Sequence, residues 1–291
     1  MARQEKLDVN EIVTNRILEQ LKAGTVPWHK PWAGGFQMPR NLVSGKEYRG
    51  INVWLLTSAG FASPYWLTYK QAEAKGGNVK KGEKGSLVVL WTTFKTNDKA
   101  TGEEKTIPVM RYYTVFNATQ CENIEVPVIE TRNSGDAIEA CEEVVHGYKN
   151  APKVNHGATS AYYSPKDDAV TLPDPKSFDT MEHYYSTKFH ELVHSTGHET
   201  RLKRPGIVDF DAFGSHQYSQ EELIAEMGAA FLAAHVGMTS QAVSDNSAAY
   251  IGNWINKLQN DHKFIVKAAS AAQKALDLIL GTKFESEEKA A

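Results

Sequence analysis

This sequence of 291 residues contains few cysteines, and we find in it neither a long apolar run nor the pattern of an export signal. Two cysteines, Cys121 and Cys141, are too few to staple a chain of this size, and we expect both to be reduced thiols. Apolar runs such as residues 87–91 fall far short of the roughly 18 residues that cross a bilayer. Residues 1–15 are charged and contain no apolar segment of the kind that begins a secreted protein. These absences predict a cytoplasmic protein with no membrane partner.

The net charge of −3 conceals two halves of opposite sign. Residues 1–120 hold 17 lysines and arginines against 10 acidic residues, whereas residues 121–291 hold 15 against 25. Five of the six tryptophans also lie in the basic half. This asymmetry indicates two modules with different partners. Residues 122–136 have the composition of a linker, so we predict one domain over residues 1–125 and a second over residues 126–291.

The basic half has the pattern of an α+β domain. Residues 9–21 repeat apolar side chains at helical spacing, and residues 68–75 predict a second, shorter helix. Residues 86–94 and 107–116 have the composition of strands. The polar stretch between these two runs predicts an exposed hairpin tip.

Cations and aromatic rings are interleaved in this half in the way that a groove for single-stranded nucleic acid requires. Lysine and arginine bind phosphates, and flat rings stack on unpaired bases. Three lysines fall within residues 80–84, and Trp28 and Trp32 lie in a loop that contains prolines. The residues that we expect to contact the nucleic acid are Trp28, Lys30, Trp32, Arg40, Arg49, Lys70, Lys80, Lys81 and Lys84. The alternative is that rings such as Trp54 and Trp66 form the core while the lysines lie on an ordinary solvated face.

The acidic half contains an H-E-x-x-H motif at residues 190–194. The surrounding residues have a largely apolar helical period, which places His190 and His194 one turn apart on the same face. Both imidazoles can therefore bind one metal ion. Glu191 is rotated by about 100° from His190 and can act on a water held by that metal, so it is the predicted catalytic residue. The alternative is a helical histidine pair that binds no metal.

A catalytic zinc site needs a third protein ligand beside an open position. The metzincin pattern fails, because Thr200 stands where that pattern requires histidine. A predicted helix over residues 221–231 places Glu222 and Glu226 four residues apart on one face. Their pattern resembles the second metal helix of the glutamate-zincins, which implies Glu222 as the third ligand, Glu226 as the acid that orients a ligating histidine, and Zn²⁺ or another divalent metal as the cofactor. The opposite assignment stays open, as does a solvated acidic face.

The elements around the motif complete the predicted fold. Residues 161–173 predict two short strands around a turn, and residues 244–280 predict a helical tail. His198, His216 and Tyr218 could donate a hydrogen bond to a reacting oxygen, although a structural role fits each of them. The predicted fold class is α+β in two domains: an α+β domain that binds single-stranded nucleic acid, and a mainly helical zincin-like metalloprotease domain with a small sheet.

The whole chain resembles the ArdC-type antirestriction proteins of conjugative plasmids. The residues that carry the resemblance are 25–32, 48–52, 66–72, 79–84, 115–120, 189–198, 201–204 and 221–232. The first half also looks like the N-terminal part of certain plasmid-borne primases. The resemblance implies an N-terminal domain that binds single-stranded DNA, a C-terminal zincin-like metallopeptidase domain, and a role in shielding incoming plasmid DNA from host restriction enzymes during conjugation.

Three hypotheses about function follow. In the first, the protein binds single-stranded DNA and cleaves a protein substrate, with Glu191 passing a proton from water to the leaving amine. In the second, the zincin domain is a structural module or pseudoenzyme, and the protein protects DNA by occupying it. In the third, the same chemistry serves as a DNA-dependent protease that acts on DNA-bound proteins.

Overall fold

The computed structural model describes residues 8–28, 37–97, 104–128, 134–209, 216–238 and 247–282. The chain divides into two compact units: Met1–Ile17 with Met38–Val128 forms the first, and Leu18–Gln37 with Ile129–Ala291 forms the second. The predicted α+β fold class with two domains is confirmed. The single boundary at residue 125 stays a prediction, and the early segment Leu18–Gln37 goes with the second unit.

The first 128 residues contain a small mixed sheet and short helices. The strand order in that sheet is β1-β2-β5-β4, in which only β1 and β2 run parallel, and β3 pairs with β6 in a separate antiparallel ladder. The elements in chain order are α1 (Val9–Lys22), β1 (Arg40–Asn41), α2 (Ile51–Thr57), β2 (Tyr65–Leu67), α3 (Tyr69–Ala74), β3 (Asn78–Val79), β4 (Ser86–Asn97), β5 (Glu104–Asn117) and β6 (Cys121–Glu122).

Local hydrogen bonds explain where the short helices begin. The Thr68 hydroxyl accepts from the Gln71 N–H and the Gln71 side chain accepts from the Thr68 N–H, so a capping box starts α3. Helix α2 was not predicted, because six of its seven residues are buried and a helix that is apolar all round shows no amphipathic period. The Asn52 side chain then fixes α2 to strand β4, donating to the Val89 carbonyl at 2.8 Å and accepting from the Val89 N–H at 2.7 Å.

Strands β4 and β5 form a long antiparallel ribbon. Their register runs from Ser86↔Val115 to Asn97↔Glu104, so both strands extend beyond the predicted limits at residues 94 and 107. Strand β2 pairs with β5 at Phe116 and Asn117. Among the described residues, the larger part of the ribbon therefore has no third strand beside it. The predicted hairpin tip beyond Asn97 lies outside the described residues as far as residue 103.

The second unit is mainly helical and contains a three-stranded sheet of order β7-β9-β8, in which β7 is parallel and β8 antiparallel to β9. The predicted helical tail is two helices, broken at residues 261–263. No helix of the described residues is long and apolar enough to cross a membrane. The elements are α4 (Ser134–Gly147), β7 (Lys153–His156), β8 (Tyr162–Ser164), β9 (Ala169–Leu172), α5 (Met181–Ser195), α6 (Pro205–Val208), α7 (His216–Val236), α8 (Ser247–Asn260) and α9 (Phe264–Leu280).

Helix α7 lies at the centre of this unit. It packs against α5 on one side and α9 on the other, which is why its middle is apolar nearly all round. Phe189 of α5, Phe231 of α7 and Phe264 of α9 are all fully buried. The helix that carries the H-E-x-x-H motif and the helix that carries the acidic pair are therefore direct neighbours.

Candidate metal centre

Helix α5 presents the two histidines of the motif from consecutive turns. It begins at Thr180, whose hydroxyl accepts from the His183 N–H at 3.1 Å. Leu192 and Val193 turn into the core, which leaves His190 and His194 on the other face. The Nε2 atoms of these two histidines lie 3.1 Å apart.

Glu222 of α7 completes a three-residue cluster. Its carboxylate oxygens lie 3.7 Å from His190 Nε2 and 3.6 Å from His194 Nε2. Ligand atoms about 2.0–2.1 Å from a tetrahedral metal lie about 3.3 Å from one another. The three measured separations are close to that value, and two imidazole nitrogens with one carboxylate are a common donor set for a divalent metal. The residues present therefore fit a divalent metal ion.

Gly228 lets α7 approach α5 closely enough for Glu222 to reach the histidines. A β-carbon built at Gly228 would lie 2.7 Å from Val193 Cγ2 and 2.8 Å from Val193 Cγ1. Real side chains essentially never approach so closely, so one of the two helices would have to move. A glycine in a helix interior costs about 1 kcal/mol relative to alanine, which this packing offsets.

We expect Gly228→Ala to lower the free energy of unfolding by about 1–2 kcal/mol. Overpacking against the stiff Val193 costs about 1–3 kcal/mol and outweighs the gain of about 1 kcal/mol in helix propensity. Gly252→Ala is the matched control, because Gly252 lies in helix α8 and a β-carbon built there would have nothing within 4 Å of it. Urea unfolding should show Gly252→Ala slightly stabilised, and stabilisation of both variants would contradict the packing argument.

The histidines and the acids of the cluster shift one another's pKa values. Burial alone would lower the pKa of His190, but the hydrogen bond to Glu222 and the negative charges of Glu191 and Glu226 outweigh burial and raise it to about 9. Burial alone would raise the pKa of Glu222, but His190, His194 and a hydrogen bond from Tyr218 hold it below its usual range. The carboxylate is therefore ionised, which is the state that binds a metal.

A second carboxylate, from Glu221, holds His194 from the opposite side of the ring. Glu221 Oε1 lies 3.3 Å from His194 Nδ1, and the Arg204 Nε donates to Glu221 Oε2 at 2.9 Å. Burial would raise the pKa of Glu221, but the Arg204 charge and these hydrogen bonds lower it to about 2. The acid at His194 Nδ1 is therefore Glu221, a residue that the sequence pattern did not select. The role implied for Glu226, orienting His190 or His194, stays a prediction. Glu226 lines the same cleft one turn along α7.

Arg204 is itself fixed by the end of helix α5. It is 7% exposed, and its guanidinium donates to the Thr196 hydroxyl at 2.6 Å and to the Val193 carbonyl at 2.8 Å. Gly197 makes room for this arrangement, since a β-carbon there would lie 3.0 Å from Arg204 Nη2. A continuous set of contacts thus leads from the end of α5 through Arg204 and Glu221 to His194.

The cluster opens into a cleft with a volume of about 520 Å³. Glu191 lines this cleft beside the histidines and is 7% exposed. Tyr218 also lines it, whereas His198 bonds the Thr200 hydroxyl at 2.8 Å and is not part of the lining. The side chain of His216 lies outside the described residues.

Strand β8 forms the other wall of the cleft through Tyr162 and Tyr163. The Tyr163 hydroxyl donates to Asp168 at 2.8 Å, and Arg201 donates to Asp168 and, at 2.8 Å, to the Ser195 carbonyl at the end of α5. Arg201 therefore ties the β8–β9 turn to the helix of the motif. The predicted strands over residues 161–173 are present as β8 and β9, and β7 is an additional strand that was not predicted.

The structure places the predicted DNA contacts unevenly. Trp28 is only 3% exposed and packs edge-on against Trp254, with ring centroids 5.5 Å apart, so its ring is not open to a base. Its expected exposure in a loop was wrong, because an aromatic partner far along the chain covers it. Lys30 and Trp32 lie outside the described residues.

The predicted cations of the first unit lie at the surface to different degrees. Arg40 pairs with Glu47 at 2.9 Å, and Arg49 is half-buried. Lys80 Nζ donates to the Thr119 carbonyl at 2.9 Å, and the Lys80 N–H donates to the Gln120 carbonyl at 2.9 Å. The lysine-bearing turn is thus held in one conformation. Two further lysines of this turn, Lys81 and Lys84, are exposed, and so is Lys70 of helix α3.

The rings of the first unit also divide into two groups. Tyr48, Trp54 and Trp66 are buried, so the core alternative holds for them. The most exposed tryptophan among the described residues is instead Trp91 on the β4–β5 ribbon, at 57%. The sequence pattern does not single out Trp91, because this residue ends an apolar run that is typical of a buried strand.

Two family descriptions match this chain. Residues 7–116 match the N-terminal domain of anti-restriction factor ArdC, and residues 139–271 match a zincin-like metallopeptidase. A DNA primase TraC of Escherichia coli is 36% identical over 297 residues, which cover 94% of this chain and 27% of the primase. A second TraC primase is covered to 20%, so this chain spans less than a third of the length of either primase.

Relatives of similar length are more informative. The protein y4eC of Sinorhizobium fredii is 33% identical over 289 residues, covering 94% of this chain and 92% of that protein. The metal-free crystal structure of the antirestriction protein ArdC from plasmid R388 matches with a TM-score of 0.77 and 39% identity over 94% of this chain and 97% of that one. The Mn(II)-bound structure of the same ArdC matches with a TM-score of 0.77 and 36% identity. The chain therefore belongs to the ArdC-type antirestriction family, with an ArdC N-terminal domain followed by a zincin-like metallopeptidase domain.

Proposed function

We propose that this protein protects incoming plasmid DNA during conjugation by binding single-stranded DNA with its first unit, and that its second unit is a divalent-metal peptidase. The observation that carries the peptidase half is the convergence of His190, His194 and Glu222 beside Glu191 in one cleft. The Mn(II)-bound structure of the related ArdC supports a divalent metal at such a site. Zn²⁺ is the metal that the motif favours, and Mn²⁺ is the alternative to test beside it.

The proposed chemistry divides between the metal and this chain's own residues. A bound divalent ion supplies Lewis-acid activation of a water and of a peptide carbonyl. Glu191, which is held on α5 next to His190, accepts the proton of the attacking water and passes it to the leaving amine. Tyr218 contacts Glu222 and faces the same cleft, where its hydroxyl can donate to the oxygen of the reacting carbonyl.

The shape of the cleft favours an extended peptide as substrate. Strand β8 is the last strand of the β7-β9-β8 sheet and lines the cleft opposite the histidines. An extended chain that adds to such an edge gains backbone hydrogen bonds whatever its side chains are. The Arg201 contacts that tie the β8–β9 turn to α5 would keep this edge at a fixed distance from Glu191.

Glu191→Gln is expected to abolish peptide cleavage and leave metal content unchanged, because the amide keeps the shape of the side chain but cannot accept the proton. General-base removal typically costs about 100-fold to 10,000-fold in rate. Cleavage of a casein substrate by the Mn²⁺- or Zn²⁺-loaded protein, with and without single-stranded DNA, is the measurement. Glu199→Gln is the control, since Glu199 is an exposed glutamate outside the cleft. Equal cleavage by wild type and Glu191→Gln would exclude this mechanism.

The same variant separates peptidase action from DNA protection. If Glu191→Gln still protects incoming DNA in a conjugation assay against a restricting host, protection operates by occupancy of the DNA. Loss of protection together with cleavage would instead make proteolysis part of the function, either generally or on proteins bound to DNA.

Binding to single-stranded DNA is supported by the excess of basic residues over residues 1–120 and by the ArdC N-terminal family. We expect the affinity for an oligonucleotide of about 20 unpaired thymidines to fall by at least about tenfold between 50 and 200 mM salt, because each phosphate contact releases counterions. Fluorescence anisotropy of the labelled strand measures this slope. Tighter binding to the corresponding duplex, or binding that ignores salt, would count against the proposal.

A further inference from the structure

The outer part of the β4–β5 ribbon exposes large apolar side chains that no described element covers. Trp91 is 57% exposed, Phe94 56% and Tyr112 48%. A two-stranded ribbon has little core of its own, so rings on it stay about half exposed after folding. Exposed aromatic side chains grouped in this way are typical of a binding surface.

Trp91 and Tyr112 lie on the same face of the ribbon. The register pairs Trp91 with Met110 and Val89 with Tyr112, and alternate residues of a strand point to one side. The two rings are therefore diagonal neighbours, at a separation that aromatic side chains can bridge. Phe94 pairs with Ile107 and lies on the opposite face. We call the first side the Trp91 face, formed by Trp91, Thr93, Lys95, Met110 and Tyr112.

The charge of the ribbon indicates what covers this face. The described residues of β4 and β5 include three cations, Lys95, Lys105 and Arg111, and one acid, Glu104. Lys95 lies on the Trp91 face and pairs with Glu104 at 2.8 Å, whereas Lys105 and Arg111 lie on the opposite face of the ribbon. The ribbon as a whole therefore carries more positive than negative charge. Flat rings on a ribbon of net positive charge, in the half of the chain that is rich in lysine and arginine, fit a polyanion with accessible aromatic faces, and only unpaired bases leave those faces open.

We propose that unpaired bases of a single-stranded nucleic acid stack on Trp91 and Tyr112, which makes the Trp91 face the base-contacting surface of the first unit. The proposal rests on the single-stranded DNA binding proposed above. Trp91 and Tyr112 then supply the aromatic part of that interface in place of Trp28, whose ring is buried, and the phosphates are left to the exposed lysines. Because stacking does not read base edges, binding through this face tolerates most sequences.

Alanine variants of the full-length protein test the proposal by fluorescence anisotropy with the oligothymidine strand. We expect Trp91→Ala and Tyr112→Ala each to raise the dissociation constant by about tenfold or more, the loss typical of one stacked base. Trp91→Phe keeps a ring and should recover most of the affinity. Phe94→Ala removes an equally exposed ring from the opposite face and should stay within about twofold of wild type. The salt dependence should be unchanged in Trp91→Ala, because stacking neutralises no phosphate.

The outcomes separate this proposal from the one on which it rests. If wild type binds the strand and both alanine variants bind it equally well, the Trp91 face is not the base-contacting surface although DNA binding stands. If wild type does not bind the strand, both proposals are wrong. Sedimentation of the same variants tests whether the Trp91 face is instead a contact between two copies of the chain. Loss of a dimer in Trp91→Ala with unchanged DNA binding would show this and would overturn the proposal. Reduced quenching of tryptophan emission by DNA in Trp91→Phe would support stacking directly.

Discussion

Replacing Glu222 with alanine is expected to lower the affinity for a divalent metal by more than about 100-fold. Changes to residues that merely orient a metal ligand typically cost about 10-fold to 100-fold, and removal of a ligand costs more. Glu222 is the carboxylate that lies within 3.7 Å of both histidine Nε2 atoms. Calorimetric titration of the metal-free protein with Mn²⁺ and with Zn²⁺ measures the loss.

Glu226→Ala is the matched control for that measurement. It removes the same charge from the same helix one turn away, and Glu226 lines the same cleft. We expect Glu226→Ala to weaken metal binding by less than about tenfold, through loss of negative charge alone. If Glu226→Ala abolished binding and Glu222→Ala preserved it, the two acids would exchange roles.

Replacing Arg204 with alanine should have the largest effect on stability. It leaves the Glu221 carboxylate, which is 4% exposed, without its guanidinium partner. Breaking a buried ion pair from one side typically costs about 3–5 kcal/mol. Metal affinity should also fall by about 10-fold to 100-fold, because Glu221 then no longer holds His194 in place. Urea unfolding and Mn²⁺ titration measure the two effects separately.

A double variant separates packing from positioning. Arg204→Met combined with Glu221→Leu removes both charges and fills similar volume, so most of the stability should return. Metal affinity should stay low, because His194 Nδ1 still lacks its acceptor. Full recovery of metal affinity in the double variant would mean that Arg204 and Glu221 serve stability alone.

The sequence predicted the parts of the metal centre that depend on spacing within one helix. His190 and His194 share a face because they are four residues apart, and the same rule selected Glu222 and Glu226. The structure brings Glu222 to the histidines, while its role as the third ligand stays a prediction. Glu221 could not be selected in this way, because its role depends on Arg204, which a loop carries back to the end of α5. Neighbouring acids in a sequence do not show which of them meets a histidine.

The aromatic residues show a different limit of sequence-based prediction. Trp54 and Trp91 both follow apolar residues, yet Trp54 is 1% exposed and Trp91 is 57% exposed. This difference in exposure depends on which elements pack against the helix that carries Trp54 and the strand that carries Trp91. Trp54 lies on helix α2, which packs against strand β4, whereas no described element forms a layer over Trp91 on the β4–β5 ribbon. Periodicity identifies a strand but not the presence of a covering layer.

The contact between Trp28 and Trp254 can form only late in translation, because 225 residues separate the two in the chain. Leu18–Gln37 belongs to the second unit but leaves the ribosome before Met38–Val128, the larger part of the first unit. Trp28 therefore has no Trp254 ring to pack against until helix α8 has been translated. A fragment that begins after residue 125 would carry Trp254 without the ring that covers it and would expose an aromatic surface to water. The second unit is therefore completed by the early segment Leu18–Gln37, and division of the gene at a single point near residue 125 would leave that unit incomplete.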